Sequence, residues 1–333
     1  MTQLTASLAD RLPLLRRRGM MVRGLRAFFE ARGYLEVETP FLVPTPGEEV
    51  HLRPFRTRIE RPDGHDGDLW LHTSPEFAMK RIVAGIGLPV FQLARVWRNG
   101  EAGALHAPEF SMLEWYRPGA DLASLMDETE CLLQRLLPPV VRWNGVTVRI
   151  DAPFERLSMA EAFRRYVGAD VLGTGGDAAA LASQAGVSLR AGEDWEDLFF
   201  RLLLERVEPH LGRDRPTFLT HWPRAQAALA RRDPADPRVA LRFELYAAGL
   251  ELANAFDELT DPVEQQERFE ADRARRSALR PDDPDAAWPM DHALIAALGR
   301  LPECAGIALG FDRLVMLATS AARIGDVLWM PAP

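Results

Sequence analysis

The sequence has 333 residues, of which 47% are hydrophobic and 26% are charged, proportions that are ordinary for a soluble globular protein with an ample core. The formal net charge of −8 argues against general binding to nucleic-acid backbones, which needs a basic surface, but it does not exclude a local basic pocket. The two cysteines, Cys131 and Cys304, are too far apart for a disulfide framework or a zinc site. The sequence has no apolar leader and no apolar run of about 20 residues, so we expect a cytoplasmic protein without a membrane segment.

Hydrophobic spacing predicts helices and strands in mixed order along the chain. The first helix is expected from about Leu12 to Arg32, and the segment YLEVETPFLVP after it is expected to form a strand interrupted by prolines. A strand, a Ser-Pro turn and a helix that begins near Pro75 come next. Two further strands are then joined by the loop NGEAGALHAPE, and the segment between Val140 and Arg238 is predicted to be mostly helical.

The remaining segments complete an α+β pattern. PTFLTHWP predicts a strand, RVALRFELYAAGLELANAF two strands around a turn, DPVEQQERFEADRARRSAL a charged helix, and GIALGFDRLVML the start of an apolar helix. This order favours an antiparallel β-sheet flanked by helices over strict βαβ alternation. Nothing marks an internal repeat or a linker, so we expect residues 1–333 to form a single catalytic domain.

Two glutamates in the segment FELYAAGLELANAFDEL are candidates for a metal site. Glu244 and Glu251 lie seven positions apart, so on one continuous strand their side chains would point to opposite faces. A turn near Ala247 and Ala248 would make them cross-strand neighbours on one face. Two facing carboxylates repel each other, and Mg²⁺, which favours carboxylates together with substrate phosphates, would cancel that repulsion. The alternative is a pair of solvated glutamates on an exposed sheet face.

The end of the same segment alternates in a way that suits a ligand with amino groups. Asn254, Phe256 and Glu258 are two positions apart in turn, which places an amide, a ring and a carboxylate on one strand face. An ordinary amphipathic edge strand would show the same pattern.

The strand FSMLEWYR offers a second such face. Phe110, Met112, Glu114 and Tyr116 alternate along it and supply an aromatic plate, a carboxylate and a phenol. Arg98 ends the partner strand, and its planar guanidinium suits phosphate oxygens.

The functional interpretation of this loop has alternatives. Arg98 could instead form a surface ion pair with Glu101 or Glu109. His106 has no second histidine at ligand spacing, so a phosphate contact or a structural role is favoured over metal binding. The sequence has neither a GxxxxGK[ST] nor a GxGxxG motif, which argues against P-loop and Rossmann nucleotide binding.

The apolar segment GIALGFDRLVML carries adjacent opposite charges, Asp312 and Arg313, in its middle. Burying an ion without a partner costs several kcal/mol. Arg313 therefore either pairs within the protein or binds an anion that comes and goes.

Taken together, these segments resemble the class II aminoacyl-tRNA synthetases, and specifically their lysyl branch, over nearly the whole chain. GYLEVETPFL resembles motif 1, VWRNGEAGALHAPEFSMLEWY resembles motif 2 and GIALGFDRLVML resembles motif 3. TSPEFAMKR and ELANAFDELTDPVEQQERF are similar to the amino-acid pocket of the lysyl enzymes. The resemblance implies a class II synthetase catalytic fold, ATP and Mg²⁺ as cofactors, and a homodimer formed through motif 1.

The resemblance also implies roles for single residues. Arg98 and Arg313 would be catalytic, holding the α- and γ-phosphates of ATP, and Asp312 would orient the guanidinium of Arg313. The implied ATP-binding residues are Arg98, Asn99, Glu101, His106, Phe110, Glu244, Glu251, Gly310 and Arg313, with Mg²⁺ on Glu244 and Glu251. The implied substrate-binding residues are Ser74, Glu76, Glu114, Tyr116, Asn254, Phe256, Glu258 and Ala308.

The helix before motif 1 begins within the first residues, which leaves no room for the anticodon-binding domain of a lysyl-tRNA synthetase. The chain in this respect resembles stand-alone paralogues of the lysyl branch, which activate (R)-β-lysine as an adenylate and transfer it to a lysine of elongation factor P. The implied partners are β-lysine and elongation factor P, with no tRNA and no membrane. The chain departs from the family pattern at Gly100, Ala104, Ala107 and Ala255. These departures keep two alternatives open, a truncated lysyl-tRNA synthetase-like enzyme that activates α-lysine and a non-catalytic paralogue with a regulatory or binding role.

Overall fold

A computed structural model describes residues 7–283 and 286–331. The described residues divide into two compact units. The first unit contains the residues up to Asp121 and those from Glu258 onward, and the second contains Leu122–Asp257.

The described residues form the following helices and strands in chain order. The helices are α1 (Leu8–Glu30), α2 (Glu76–Ile86), α3 (Leu122–Leu136), α4 (Met159–Tyr166), α5 (Ala178–Ala185), α6 (Trp195–Leu202), α7 (Pro262–Leu279), α8 (His292–Leu298), α9 (Phe311–Thr319) and α10 (Ile324–Val327). The strands are β1 (Leu35–Glu36), β2 (Leu42–Val43), β3 (Arg56–Ile59), β4 (Gly67–Leu71), β5 (Val90–Trp97), β6 (Glu109–Pro118), β7 (Val140–Trp143), β8 (Val146–Arg149), β9 (Glu155–Ser158), β10 (Thr217–Pro223), β11 (Val239–Ala247), β12 (Leu250–Asp257) and β13 (Cys304–Gly310).

In the first unit the main strands lie in the order β1-β5-β6-β13. β1 pairs with β5 in parallel, whereas β5, β6 and β13 pair antiparallel. The register places Ala308 of β13 opposite Glu114 of β6. A smaller sheet in the order β2-β4-β3 belongs to the same unit.

Helix α1 packs one face into the core of the first unit. A capping box between Ser7 and Asp10 starts the helix, and its buried face includes Leu25 and Phe29. The ring of Phe29 stacks on Phe91 of β5 with centroids 4.7 Å apart. Burial of this aromatic surface is the main force that fixes the helix on the sheet.

A buried ion pair ties α1 to α9. Arg18 on the apolar face of α1 pairs with Asp312 in the first turn of α9, and both side chains are almost fully buried. Arg18 also donates to the Ser111 hydroxyl at 2.7 Å, and the Ser111 N–H donates to the second oxygen of Asp312 at 2.7 Å. Asp312 therefore joins helix α1, strand β6 and helix α9 at one point.

In the second unit the main strands lie in the order β9-β10-β11-β12. β9 and β10 are parallel, and the other two pairings are antiparallel. Helices α4, α5 and α6 bury a cluster of aromatic and aliphatic side chains that includes Phe163, Phe199 and Trp222. This cluster is the hydrophobic core of the unit.

The hairpin of β11 and β12 contains a β-bulge. Tyr246 pairs with Glu251 next to the turn, but Leu245 pairs with Ala253, so Leu252 is an extra residue on β12. The turn itself needs left-handed backbone at Ala248 (φ 56°) and Gly249 (φ 79°), as two-residue hairpin turns do.

The α+β organisation with mainly antiparallel strands is confirmed. The predicted strands of motif 2, the hairpin turn, the charged helix α7 and the apolar helix α9 are all present. The prediction that residues 140–238 are mostly helical is wrong in part, because β7, β8 and β9 lie there in addition to the predicted strand at β10. The sequence signal was the dipeptide Asn144-Gly145, which turns with φ of 47° and 78° between β7 and β8.

None of the helices in the described part of the chain combines the length and apolar composition needed to span a bilayer. The prediction of one domain over residues 1–333 stays a prediction.

The Arg18–Asp312 pair generates a stability prediction. The substitution Asp312→Asn leaves a buried guanidinium without its counter-charge, and we expect it to lower the free energy of unfolding by about 3–5 kcal/mol. Urea denaturation followed by fluorescence measures this change.

The matched control is the exposed pair Arg26–Glu36, whose side chains are 46% and 35% exposed. Glu36→Gln should change the free energy of unfolding by no more than about 1 kcal/mol. Equal effects of the two substitutions would contradict the anchoring role of Asp312.

Candidate functional site

A connected group of polar side chains lies in the first unit, and we call it the carboxylate pocket. It consists of Ser74, Glu76, Lys80, Glu114, Tyr116 and Glu258. Strand β6 presents Glu114, whose two oxygens accept hydrogen bonds from the Ser74 hydroxyl at 2.6 Å and the Tyr116 hydroxyl at 3.1 Å. Glu114 is fully buried and Tyr116 is 3% exposed, so both side chains are held in fixed positions.

Helix α2 adds a buried cation to this pocket. The ammonium group of Lys80 lies 2.6 Å from Glu76 Oε1, one helical turn before it, and 2.6 Å from Glu258 Oε2. The Glu76 N–H donates to the Ser74 hydroxyl at 3.0 Å, which links this ion cluster to Glu114. Sequence reasoning missed Lys80, although a lysine four residues after a glutamate on a helix is a recognisable pairing signal.

The pocket shifts the ionisation of its members. Burial raises the pKa of Glu114 to about 8, and the charge of Glu76 raises it further, against the opposing effects of Ser74, Tyr116 and Lys80. Burial alone would lower the pKa of Lys80, but the charges of Glu258 and Glu76 outweigh it and raise that pKa. Lys80 therefore stays an ammonium ion, while Glu114 is held close to the point of ionisation.

The adjacent strand β13 has no side chain where the pocket is most crowded. A Cβ on Gly306 would lie 2.3 Å from the Tyr116 ring and 2.4 Å from Glu258 Oε1. Only glycine permits these two side chains to approach the strand as they do. Two residues further on, Ala308 lies opposite Glu114 and is half-buried.

A second group in the first unit presents cationic and aromatic side chains. The Arg98 guanidinium lies 5.2 Å from the centre of the Phe110 ring and 3.9 Å from Glu101. Its Nε is buried and has no hydrogen-bond partner among the residues that the structure describes. An exposed ion pair with Glu101 therefore leaves donor capacity in Arg98 for an anion.

The loop next to Arg98 turns through left-handed backbone. Gly100 has φ 83°, a conformation that other residues adopt with strain. The Asn99 N–H donates to the carbonyl of Arg53 at 2.6 Å. This contact gives the departure at Gly100 a backbone reason.

Arg313 emerges from the first turn of α9. Its Nη2 donates to His106 Nε2 at 2.7 Å, and its Nε donates to the Leu105 carbonyl at 3.5 Å. Gly310 caps this helix at its N-terminus, where free N–H groups favour anions. The structure thus brings Arg313 and His106 together.

The expected role of Asp312 needs correction. Both of its carboxylate oxygens are engaged by Arg18 and by the Ser111 N–H. It orients Arg313 by fixing the helix that carries it, and not by the direct pairing expected from the adjacent positions.

The second unit carries the two glutamates proposed for Mg²⁺. Glu244 lies on β11 with Tyr246 two residues later on the same face, and Glu251 lies directly opposite Tyr246. Because the bulge at Leu252 shifts the alternation, Asn254 opposite Glu244 shares this face with Glu251. A regular strand would have turned Glu251 and Asn254 to opposite sides.

A hub residue on this face was also missed by sequence reasoning. Arg242 pairs with Glu244, donates to Asn254 Oδ1 at 3.0 Å and stacks on Trp222 with its guanidinium 3.9 Å from the ring centre. Phe256 lies opposite Arg242 in the register. One arginine thus fixes a carboxylate and an amide that the sequence assigned to different ligands.

The residues fit a divalent cation. Glu244 is 7% exposed, and burial raises its pKa to about 7, with Arg242 opposing and the charge of Glu251 adding to the shift. A nearby cation would relieve that repulsion. Among residues 7–283 and 286–331 no group of three or more His, Cys, Asp or Glu side chains is arranged to hold a metal. Two carboxylates completed by phosphate oxygens and water are a set that suits Mg²⁺.

Comparison with known proteins places the chain in a defined group. A family model described as tRNA synthetases class II (D, K and N) matches residues 7–333. An "elongation factor P–(R)-β-lysine ligase" from Klebsiella pneumoniae is 45% identical, over 95% of this chain and 94% of its own length. A protein of the same name from Salmonella arizonae is 43% identical over the same shares of the two chains.

The raised pKa of Glu114 predicts pH-dependent binding of an ammonium ligand. A carboxyl with a pKa of about 8 is mostly protonated at neutral pH and must ionise to pair with an ammonium group. We expect the affinity for lysine-type diamines to rise from about pH 6 to about pH 8, with proton release on binding in that range. Calorimetry in buffers of different ionisation enthalpy measures both quantities.

Two variants test the origin of this effect. Glu114→Gln should remove the pH dependence, whereas Glu109→Gln, on the same strand with a side chain 44% exposed, should keep it. An affinity of the unmodified protein that is constant over this range would refute the role of Glu114.

Proposed function

Because the chain belongs to the tRNA synthetases class II (D, K and N), we propose that it is an ATP-dependent, AMP-forming ligase. Its proposed substrate is (R)-β-lysine, which it activates as an adenylate and transfers to a lysine side chain of elongation factor P. The relatives bearing that name match this chain over 94% of their own length, which supports the same acceptor here.

The charge of the carboxylate pocket is the observation that carries this proposal. Glu76, Glu114 and Glu258 bring three carboxylates, and Lys80 neutralises one of them. Two negative charges therefore remain for the ligand when all three carboxylates are ionised. β-Lysine carries two ammonium groups and one carboxylate, so its cations match the pocket and its carboxylate is left to react.

The chemistry follows from positioning and charge neutralisation. The substrate carboxylate attacks the α-phosphorus of ATP in line, the bond to the β-phosphate oxygen breaks and pyrophosphate leaves. Arg98 would stabilise charge on the α-phosphate and Arg313 would hold the γ-phosphate. Phe110 offers a ring on which adenine can stack, and His106 adds a contact beside Arg313.

The second half-reaction forms an amide bond. The neutral amine of the acceptor lysine attacks the adenylate carbonyl, the bond to the phosphate oxygen breaks, AMP leaves and the amine loses a proton. When bound, Mg²⁺ would neutralise phosphate charge, with Glu244 and Glu251 as its protein ligands.

Assembly as a homodimer through the motif 1 segment is part of the same proposal. Exposed apolar side chains concentrate in and near this segment, including Leu35, Phe41 and Leu42, each nearly half exposed. Apolar surface of this kind favours contact with another protein surface. The cytoplasmic location expected from the sequence stays a prediction.

Amino-acid-dependent ATP–pyrophosphate exchange tests the proposed activity. We expect strong exchange with (R)-β-lysine, weaker exchange with α-lysine and none without an amino acid. Exchange with α-lysine alone would favour a lysyl-tRNA synthetase-like enzyme, and no exchange with either would favour a non-catalytic paralogue.

The substitution Arg313→Ala tests the assignment of the phosphate-binding arginine. It should lower exchange by at least about a hundredfold, as expected for loss of a group that stabilises transition-state charge. The exposed Arg300 of the same unit supplies the control Arg300→Ala, which should retain activity. Unchanged turnover of Arg313→Ala would refute its role.

The paired carboxylates generate a prediction about metal dependence. Glu251→Gln removes one proposed ligand, so half-maximal exchange should need about tenfold more Mg²⁺ or above. Glu205→Gln, an exposed glutamate of the same unit, is the control. Identical Mg²⁺ titrations of Glu251→Gln and the unmodified protein would contradict the proposed site.

A further inference from the structure

We propose that Lys80 is a positioning residue of the carboxylate pocket, whose ammonium group acts as a permanent internal cation that holds Glu76 and Glu258 in place for the substrate. This inference deepens the proposed function and rests on it. It assigns a role to a buried side chain that the reaction itself does not consume.

The geometry shows a cation confined between two carboxylates. Lys80 is 1% exposed, and its ammonium group lies 2.6 Å from one oxygen of Glu76 and 2.6 Å from one oxygen of Glu258. Helix α2 fixes the start of the side chain, and the core residues Met79 and Val83 beside it are fully buried. Water cannot replace this ammonium group without opening the helix.

The physical need for such a cation follows from like-charge repulsion. Two carboxylates that share a desolvated space cannot both stay ionised unless a cation lies close to them, and otherwise one of them takes up a proton. A substrate ammonium could play this part only while bound. Lys80 supplies the cation at all times, so the pocket is already organised when the substrate arrives.

The contacts carry the effect of Lys80 beyond its direct partners. Glu76 is joined through its N–H to the Ser74 hydroxyl, which in turn donates to Glu114. Loss of Lys80 would therefore disturb all three carboxylates together. It would also change the charge that the pocket offers, which Lys80 limits to that of a diammonium ligand.

Chemical rescue tests this role directly. Lys80→Ala removes a segment that has the shape and charge of n-propylammonium. We expect the dissociation constant of the diamine substrate, measured by calorimetry without ATP, to rise by at least about tenfold. Added n-propylammonium should restore much of the affinity with saturable dependence, while kcat of exchange at saturating amino acid should change far less than KM.

Two controls separate charge from shape. n-Propanol has a similar shape without the charge and should not rescue Lys80→Ala. Lys80→Met fills the same space without a cation, so it should show the same loss of affinity and no rescue by n-propylammonium.

The outcomes distinguish this inference from the proposed function. The measurement uses whichever of β-lysine or α-lysine the unmodified protein binds, and the absence of binding to either would refute the proposed function and the inference built on it. With binding established, unchanged affinity of Lys80→Ala, or rescue by n-propanol as well as by n-propylammonium, would overturn the role of Lys80 alone.

Folding offers a second readout. If Lys80→Ala does not fold by itself, folded protein should be recovered in n-propylammonium and not in n-propanol, as followed by circular dichroism. Recovery in neither would overturn the proposal.

Discussion

The desolvation of three carboxylates around one lysine is the constraint on which the proposed substrate site depends. A buried carboxylate is stable only with partners, and here each one is assigned a different partner. Glu114 takes two hydroxyls, whereas Glu76 and Glu258 take the ammonium group of Lys80. The surplus of negative charge that results is a property of the folded chain, and the identity of the matching ligand follows from it.

The phosphate-binding side of the proposed reaction depends on a different buried ion. Asp312 is adjacent to Arg313 in sequence, yet it serves the architecture by holding Arg18 and strand β6. The neighbouring arginine is therefore placed by a helix whose first turn is locked on two sides. Adjacent opposite charges thus have separate tasks, one inside the core and one at its surface.

Much of the fold could be predicted from the sequence because its strands and helices have regular periods. The motif 2 strands, the hairpin turn and the helices α7 and α9 are examples. The candidate site was harder, because its geometry depends on exceptions to those periods. The bulge at Leu252 leaves no periodic signal, and it decides which side chains share a face with Glu244.

Other side chains were missed because their partners are distant in sequence. The partner of Lys80 at Glu258 and the partner of Arg18 at Asp312 lie far along the chain, and spacing arguments reach only neighbours. The role of Arg242 became visible only with the register of the two strands that it joins. Site chemistry was therefore predictable by residue type, while the charge balance required the fold.

The bulge in β12 has a consequence for how this hairpin can vary in length. Removing Leu252 would pair Glu251, Ala253 and Asn254 with the same partners they have now, at the cost of one buried leucine. An insertion or deletion elsewhere between Glu251 and Asn254 would keep the count but exchange which residue type fills each frame of the ladder. One added residue lets the turn-proximal half of the strand be read in one frame and the distal half in the other, so a carboxylate and an amide of opposite parity serve one surface.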